Sequence, residues 1–343
     1  MTTHAQGSPG RTRWRILGII AMLAFGSVTL YAFQAVGRYQ ERTTGVSEAA
    51  VTEQLAGGDR LVFRNTAMGQ GYGRVASVDL ADPQGARELT ELTCDRVDAT
   101  AQLTACMRTV RGIPTIFETR IYAGTTKPEA EWPLAGIPSR TRVSEAGLVA
   151  TTAFVTGHSY AADSFSTETT IKSADGKDHG NLEDFSIQVD GQPLTAVDRN
   201  VWGVTFISES QFYATVASGG KTWLVQGDLE RRELVSVMQN AECPSISPDH
   251  SRIAYKKRRE HSGLAHWDIA VLDLKTREEV VIPLEQGFDD QLEWLDDQTL
   301  LFGMPQPDTP GDSNVYSIAA TANATPQLFV EHAWSPSVVR SAG

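Results

Sequence analysis

The stretch Cys243-Pro-Ser-Ile-Ser-Pro-Asp-His-Ser-Arg-Ile-Ala-Tyr-Lys-Lys257 decides the fold. It reads as a strand from Ser245 to Ser247, a tight turn on Pro248, Asp249, His250 and Ser251, and a second strand from Arg252 to Lys257. Proline presets φ at the second turn position, and an aspartate beside it can bond its own backbone. A lone β-hairpin is marginal in water, so this one must recur and stack to be stable.

It does recur. With Ile246 as anchor, the same shape opens at Val97, Val143, Phe206, Trp294 and Trp334. The anchors at 97, 143, 206, 246, 294 and 334 are spaced 46, 63, 40, 48 and 40 residues apart. Between them two further strands recur, as in Asp268 to Leu274 with Glu278 to Pro283, and Val315 to Ala319 with Gln327 to Val330. A period of about 40–50 residues with four strands each marks a β-propeller. Six anchors predict an all-β, six-bladed propeller over residues 59–340. The last anchor begins only one strand, and residues 60–92 supply strands with no anchor before them. The C-terminal strand is therefore expected to complete the N-terminal blade, which removes a free sheet edge. The alternative, a pair of β-sandwiches, would leave the matched anchors unexplained. The long interval carries an insertion at roughly residues 158–190, a hairpin excursion or a surface loop.

The segment Ser247-Pro-Asp-His-Ser-Arg-Ile-Ala-Tyr255 resembles the WD-like repeat of the TolB family of propellers. Cys243-Pro-Ser-Ile-Ser-Pro248, Asp198-Arg-Asn-Val-Trp-Gly-Val-Thr-Phe206 and Trp334-Ser-Pro-Ser-Val-Val339 are similar to membrane-anchored TolB-like proteins of actinobacteria. The resemblance implies a six-bladed propeller exposed outside the cytoplasmic membrane, with partners docked on it in an envelope complex. Two departures stand out. The family repeat usually has glycine where His250 stands, a position suited to positive φ. The family also carries an α/β domain ahead of its propeller, and residues 34–58 are not expected to form one.

Residues 16–33 are eighteen residues without a charge, Ile16 to Phe33, within the roughly 17–25 needed to cross a bilayer as a helix. Arg11, Arg13 and Arg15 precede them, so residues 1–15 are expected in the cytoplasm and the rest outside. Cleavage after Ala32 or Ala35 would put Leu30 or Phe33 where a small residue is wanted, which favours an uncleaved single-pass anchor over a secreted chain. Residues 34–58 read as a polar stalk, partly helical across Ser47 to Leu55. The net charge is −12, and beyond residue 33 it is −15, from 27 Lys and Arg against 42 Asp and Glu. So acidic a domain repels phosphate backbones and disfavours nucleic acid as a partner.

Chemistry is sparse. Gly157-His-Ser-Tyr-Ala161 approaches a nucleophile elbow but lacks the last glycine and the helix that should follow. His261 and His266 have no acid at zinc-ligand spacing, and Asp175 to Asp184 is not a calcium loop. Asp289-Asp290 and Asp296-Asp297 read as solvated turns before they read as a paired acid and base. No cofactor or metal is expected. Cys94 and Cys106 flank one hairpin within reach of a disulfide in an oxidising space, and Cys243 reads as a buried thiol in a place equivalent to Cys94.

The segments leading into the inner strands should reach one propeller face or the channel mouth. Asp95, Arg96, Asp198, Arg199, Trp202, Asp289 and Asp290 are the binding candidates, although Trp202 suits core packing better than a contact. The expectation is a non-enzymatic, membrane-anchored, extracytoplasmic binding or scaffold protein with an envelope protein or peptide partner. The alternative is a propeller enzyme acting on cell-wall or other carbohydrate through paired channel carboxylates.

Overall fold

A computed structural model describes residues 9–55, 58–155, 166–261 and 264–341. They form two units, one of residues up to 48 together with 68–72, the other of residues 49–67 and 73 onward. The first holds one helix, Pro9–Thr44. Within its span Arg13–Gln40 an 18-residue window has a mean hydropathy of 2.1 and no buried residue, so it is long and apolar enough to cross a membrane. The helix runs on past Phe33 through residues expected in the stalk, because Gln34 to Arg42 contains no proline and no stop signal. The partly helical reading of 47–55 is also corrected: Val51–Thr52 is a short strand paired in parallel with Arg87 and Glu88.

The second unit is a six-bladed propeller with four antiparallel strands at the heart of each blade. The inner strands, from blade 1 to blade 6, are Ala333–Val339, Arg96–Ala99, Ile137–Val143, Asn200–Phe206, Glu242–Ile246 and Glu293–Asp296. Blade 1 joins the last strand of the chain to Arg60–Asn65, as the unmatched ends of the sequence require. Arg340 Nη1 meets Asp59 Oδ2 at 2.7 Å and the Ser341 N–H donates to Asp59 Oδ1 at 2.9 Å, which fastens the seam. The long interval between anchors is mostly regular. Ser166–Ser173 and Asp178–Asn181 finish blade 3, and Ser186–Val189 with Gln192–Pro193 widens blade 4 to six strands. The Gly157 to Ala161 segment lies outside the described residues.

Each blade packs both faces against its neighbours, so strands such as Gln211–Ser218 are buried almost continuously. Leu61 and Phe63 of blade 1 cluster with Leu301 and Val315 of blade 6. Glu183, in a 3₁₀ turn at Leu182–Asp184, fastens blade 3 to blade 4. It accepts from Thr167 Oγ1 (2.9 Å), Thr169 N (3.1 Å) and Val201 N (3.0 Å). Burial pushes its carboxyl up to about 7, against the pull of those bonds.

A repeated bond defines the true register of the repeat. Ser337 Oγ accepts from Ala99 N (2.9 Å), Asp98 Oδ2 from Val143 N (2.6 Å), Thr205 Oγ1 from Ile246 N (3.2 Å) and Glu293 Oε1 from Val338 N (3.0 Å). In each, the residue before one anchor holds the anchor of the next blade. The anchors are therefore Ala99, Val143, Phe206, Ile246, Trp294 and Val338. Val97 shares its face with Ala99 by the two-residue period of a strand, and Trp334 is displaced by a bulge at Ser335, whose φ is 57°. This also removes the equivalence of Cys94 and Cys243, since Ala241 is the blade 5 counterpart of Cys94. Cys94 and Cys106 are joined by a disulfide with Cα atoms 5.3 Å apart, and Cys243 is free and buried.

Removing one acceptor from this ring leaves a buried N–H unpaired, at a cost of about 1–3 kcal/mol. Ser337→Ala and Thr205→Val should each lower the midpoint of urea unfolding accordingly. A change no larger than that of an exposed control such as Ser210→Ala would show that the ring bond contributes nothing.

Candidate site at one mouth of the propeller channel

The inner strands of blades 3 and 6 face one another across the ring, and three successive residues of blade 3 bridge the gap. Arg140 Nη2 donates to Asp289 O (3.1 Å) and Oδ1 (2.9 Å). Thr141 O accepts from Gln291 Nε2 (3.1 Å). Arg142 reaches Glu293 Oε2 (2.5 Å) and Leu292 O (2.9 Å), and also Asp98 Oδ1 of blade 2 (3.3 Å). These rungs cross the channel between two cavities. One, of about 570 Å³, lies at the ends of the inner strands among Arg142, Ser247, His250, Glu293 and Arg340. The other, of about 380 Å³, lies where the inner strands begin.

The second cavity has the denser chemistry. Its lining includes Arg140, Lys256 and Asp289, the aromatics Phe154, Trp202 and Trp267, and Glu242 and Cys243 of blade 5. Lys256 is 2% exposed, and its Nζ lies 2.6 Å from Asp289 Oδ1 and 4.8 Å from the Trp267 ring centre. Glu242 is its partner across the blade 5 hairpin. Burial opposes the charge of Arg140, but Cys243, Asp289 and Asp290 outweigh it and hold the guanidinium above its ordinary range. The surroundings of Asp289 likewise disfavour its charge, yet Lys256 and Arg140 hold it below the usual carboxylate range. Beside the cavity, Arg96 Nη1 pairs with Asp290 Oδ1 at 2.9 Å, while Asp290 Oδ2 accepts from Gly303 N and Ser335 N. Burial, and then Arg140, pull Arg96 down to about 10.

Of the seven binding candidates, Arg96, Trp202, Asp289 and Asp290 are brought together here. The other three are spent on local structure. Asp95 accepts from Thr109 N, Asp198 holds Ser218 Oγ and Gly219 N, and Arg199 donates to Glu183 O and Ala196 O. Sequence reasoning missed Arg140, Glu242, Lys256 and Trp267. Their signal was charge placed inside strands otherwise buried, as in Ser139-Arg-Thr-Arg142 and Ile253-Ala-Tyr-Lys256. Asp175 and Asp178 cap their own turns, as do Asp296 and Asp249. His266 bonds Leu284 O. Among the described residues, no three His, Cys, Asp or Glu side chains are grouped to hold a metal ion.

The carboxyl of Asp98 is raised by burial, against Arg142 and with Glu293 adding to the rise. Asp98 and Glu183 thus keep protons in the folded chain where the unfolded chain has lost them. Between an unfolded value near 4.5 and a folded value about 7 for Glu183, stability falls as pH rises, by about 3 kcal/mol for that group. The melting temperature should be lower at about pH 8 than at about pH 5.5, and Glu183→Gln should narrow the difference. A melting temperature that rises over this interval would contradict the assignment.

No family model matches the sequence, and no curated protein does either. Solved structures do. TolB from Acinetobacter baumannii aligns over 82% of this chain and 66% of its own, at 12% identity and a TM-score of 0.55. A chain of the nidogen/laminin complex aligns over 82% and 98%, at 9% identity and 0.50. A puromycin-hydrolyzing peptidase from Mycobacterium tuberculosis aligns over 84% and 46%, at 13% identity and 0.46. The chain thus spans about two thirds of the TolB chain and under half of the peptidase, and at these identities the likeness speaks to fold alone. Six blades, a seam closed by the C-terminal strand and this likeness make the fold that of the TolB-like propellers.

Proposed function

We propose that the chain is a non-enzymatic binding or scaffold protein that docks a protein or peptide partner on the propeller end carrying the Arg140, Lys256 and Asp289 cavity. The observation that carries this reading is the make-up of that end. A small, aromatic-walled, charge-lined cavity that Phe154 (38% exposed) helps to line shares its end of the propeller with the exposed apolar side chains Ile113 (105%), Val197 (77%) and Ile137 (57%). The loops bearing Ile113 and Val197 return to the end where inner strands begin, because successive strands are antiparallel. Aromatic side chains and arginine, set beside exposed apolar residues, are the side-chain types enriched at protein interfaces. The helix Arg13–Gln40, preceded by basic residues, supports anchoring in the cell membrane with the amino terminus cytoplasmic and the propeller outside. Secretion after cleavage is the alternative it must be tested against.

A photo-crosslinking residue at Ile113 or Val197, introduced in intact cells, should capture one reproducible envelope partner. The same residue at Glu209, beside the opposite cavity, should not. Equal capture from both ends, or none from either, would refute docking at this mouth. Amino-terminal sequencing of the recovered chain decides anchor against signal peptide.

The carbohydrate-enzyme reading is favoured by one observation, that Glu242 and Asp289 line the same cavity. It requires hydrolysis or elimination of an oligosaccharide that is lost in both Glu242→Gln and Asp289→Asn.

A further inference from the structure

We propose that this cavity receives a peptide carboxylate, which takes over the two cations that Asp289 now holds. The proposal deepens the docking reading and rests on it.

Several donors on the cavity wall are not used up by acceptors. The Lys256 ammonium has three N–H groups, and the bond it makes is to Asp289 Oδ1. Arg140 Nε and Trp267 Nε1 are buried and have no hydrogen-bond partner. All three residues line the cavity. Buried donors left unpaired are costly, and a charged acceptor recovers the most when it arrives. The cations are also held in place beforehand. Lys256 lies over the Trp267 and Phe288 rings at 4.8 and 5.9 Å, and Arg140 is fixed through Ser139 O at 2.9 Å. A ligand therefore meets an ordered pair of charges instead of ordering two long side chains itself.

Asp289 is suited to leave. It lies in the irregular segment between the strands Glu279–Ile282 and Glu293–Asp296. Its side chain is 71% exposed although one of its oxygens serves both Arg140 and Lys256. It is an internal carboxylate on a two-cation seat, and an incoming carboxylate would replace like with like. At about 380 Å³ the cavity is at the small end of ligand sites and suits one side chain or chain end. Phe154 and Trp202 supply apolar walls for its carbon atoms, and the carboxylate of Glu242 on the same wall disfavours a second acid beside the first. Beneath it, the rungs from Arg140, Thr141 and Arg142 cross the channel in the path of the inserted group.

The carboxylate comes from an Asp or Glu side chain or from a C-terminus, and one experiment separates these sources. The full chain in lipid nanodiscs is panned against randomised heptapeptides displayed with free C-termini. Each enriched peptide is then made as selected, with its acids changed to amides, and with its C-terminus amidated. One of the two altered forms should bind at least about tenfold more weakly, which names the source. Lys256→Met should weaken the selected form similarly. Asp289→Asn, an exposed change that removes the internal competitor, should strengthen it. Peptides that bind equally in all three forms and to Lys256→Met overturn the carboxylate proposal and leave docking intact. Failure to enrich any peptide overturns both. Should Lys256→Met lose cooperative melting, Asp289→Asn decides alone, and an unchanged or weaker affinity there counts against the proposal.

Discussion

The inner strand of a propeller blade has one edge paired within the blade and one edge facing the channel, and the backbone groups on that free edge need partners. Here the partner comes from the preceding blade, as the side chain one residue before its anchor. Ser337, Asp98, Thr205 and Glu293 serve in this way. The position must therefore be a hydrogen-bond acceptor, and this is why polar residues recur in strands whose other positions are buried. Blades 3 and 5 depart from the rule, each with a substitute. Ser245 offers its carbonyl to the indole of Trp294 (2.9 Å), so that the blade 6 anchor itself becomes the donor. Arg142 cannot accept, and it spans the ring to Glu293 and Leu292 instead. That exception supplies one of the three rungs that cross the channel.

The blade count and the closure by the last strand were legible because they depend on local features, an apolar anchor and a turn, repeated at a fixed period. The opening turn carried its own proof: His250 has a φ of 57°, and Asp249 gathers Ser247 Oγ, Ser251 N and Ser251 Oγ into one knot. Where local signals tie, the reading slipped. Val97 and Ala99 are two positions apart on one strand face, and nothing nearby separates them. Val51–Thr52 was missed as a strand because it pairs through long-range contacts alone, and Ser186–Val189 because its place in blade 4 depends on a parallel pairing with Glu233–Gln239 far along the chain.

The site was half legible for the same reason. Arg96, Asp289 and Asp290 flank inner strands, so their nearness to the channel follows from the repeat. Their partners do not. Arg140 and Asp289 lie far apart in the chain and meet only because six blades place blade 3 opposite blade 6. Lys256 belongs to the second strand of its blade and reaches the mouth by its length. A period gives the order of blades but not which side chains converge across the ring.

One irregularity reconciles the two demands on an inner strand. Counted along blades 4, 5 and 1, the residues that begin the strand near the mouth are Trp202, Glu242 and Trp334, and the channel-facing ring residues are Thr205, Ser245 and Ser337. Each pair is three residues apart, which in a regular strand would set them on opposite faces. In all three blades a bulge falls between them, with positive φ at Gly203, Cys243 and Ser335. The inserted residue restores the parity. At Gly203 it also allows the blades to close up, since a Cβ there would sit 2.7 Å from Cys243 Cα. Thus Trp202 and Glu242 line the mouth while Thr205 still bonds the next blade and Ser245 its anchor indole. The backbone strain at Cys243, a left-handed conformation in a non-glycine residue, is where the structural ring and the cavity are joined in one strand.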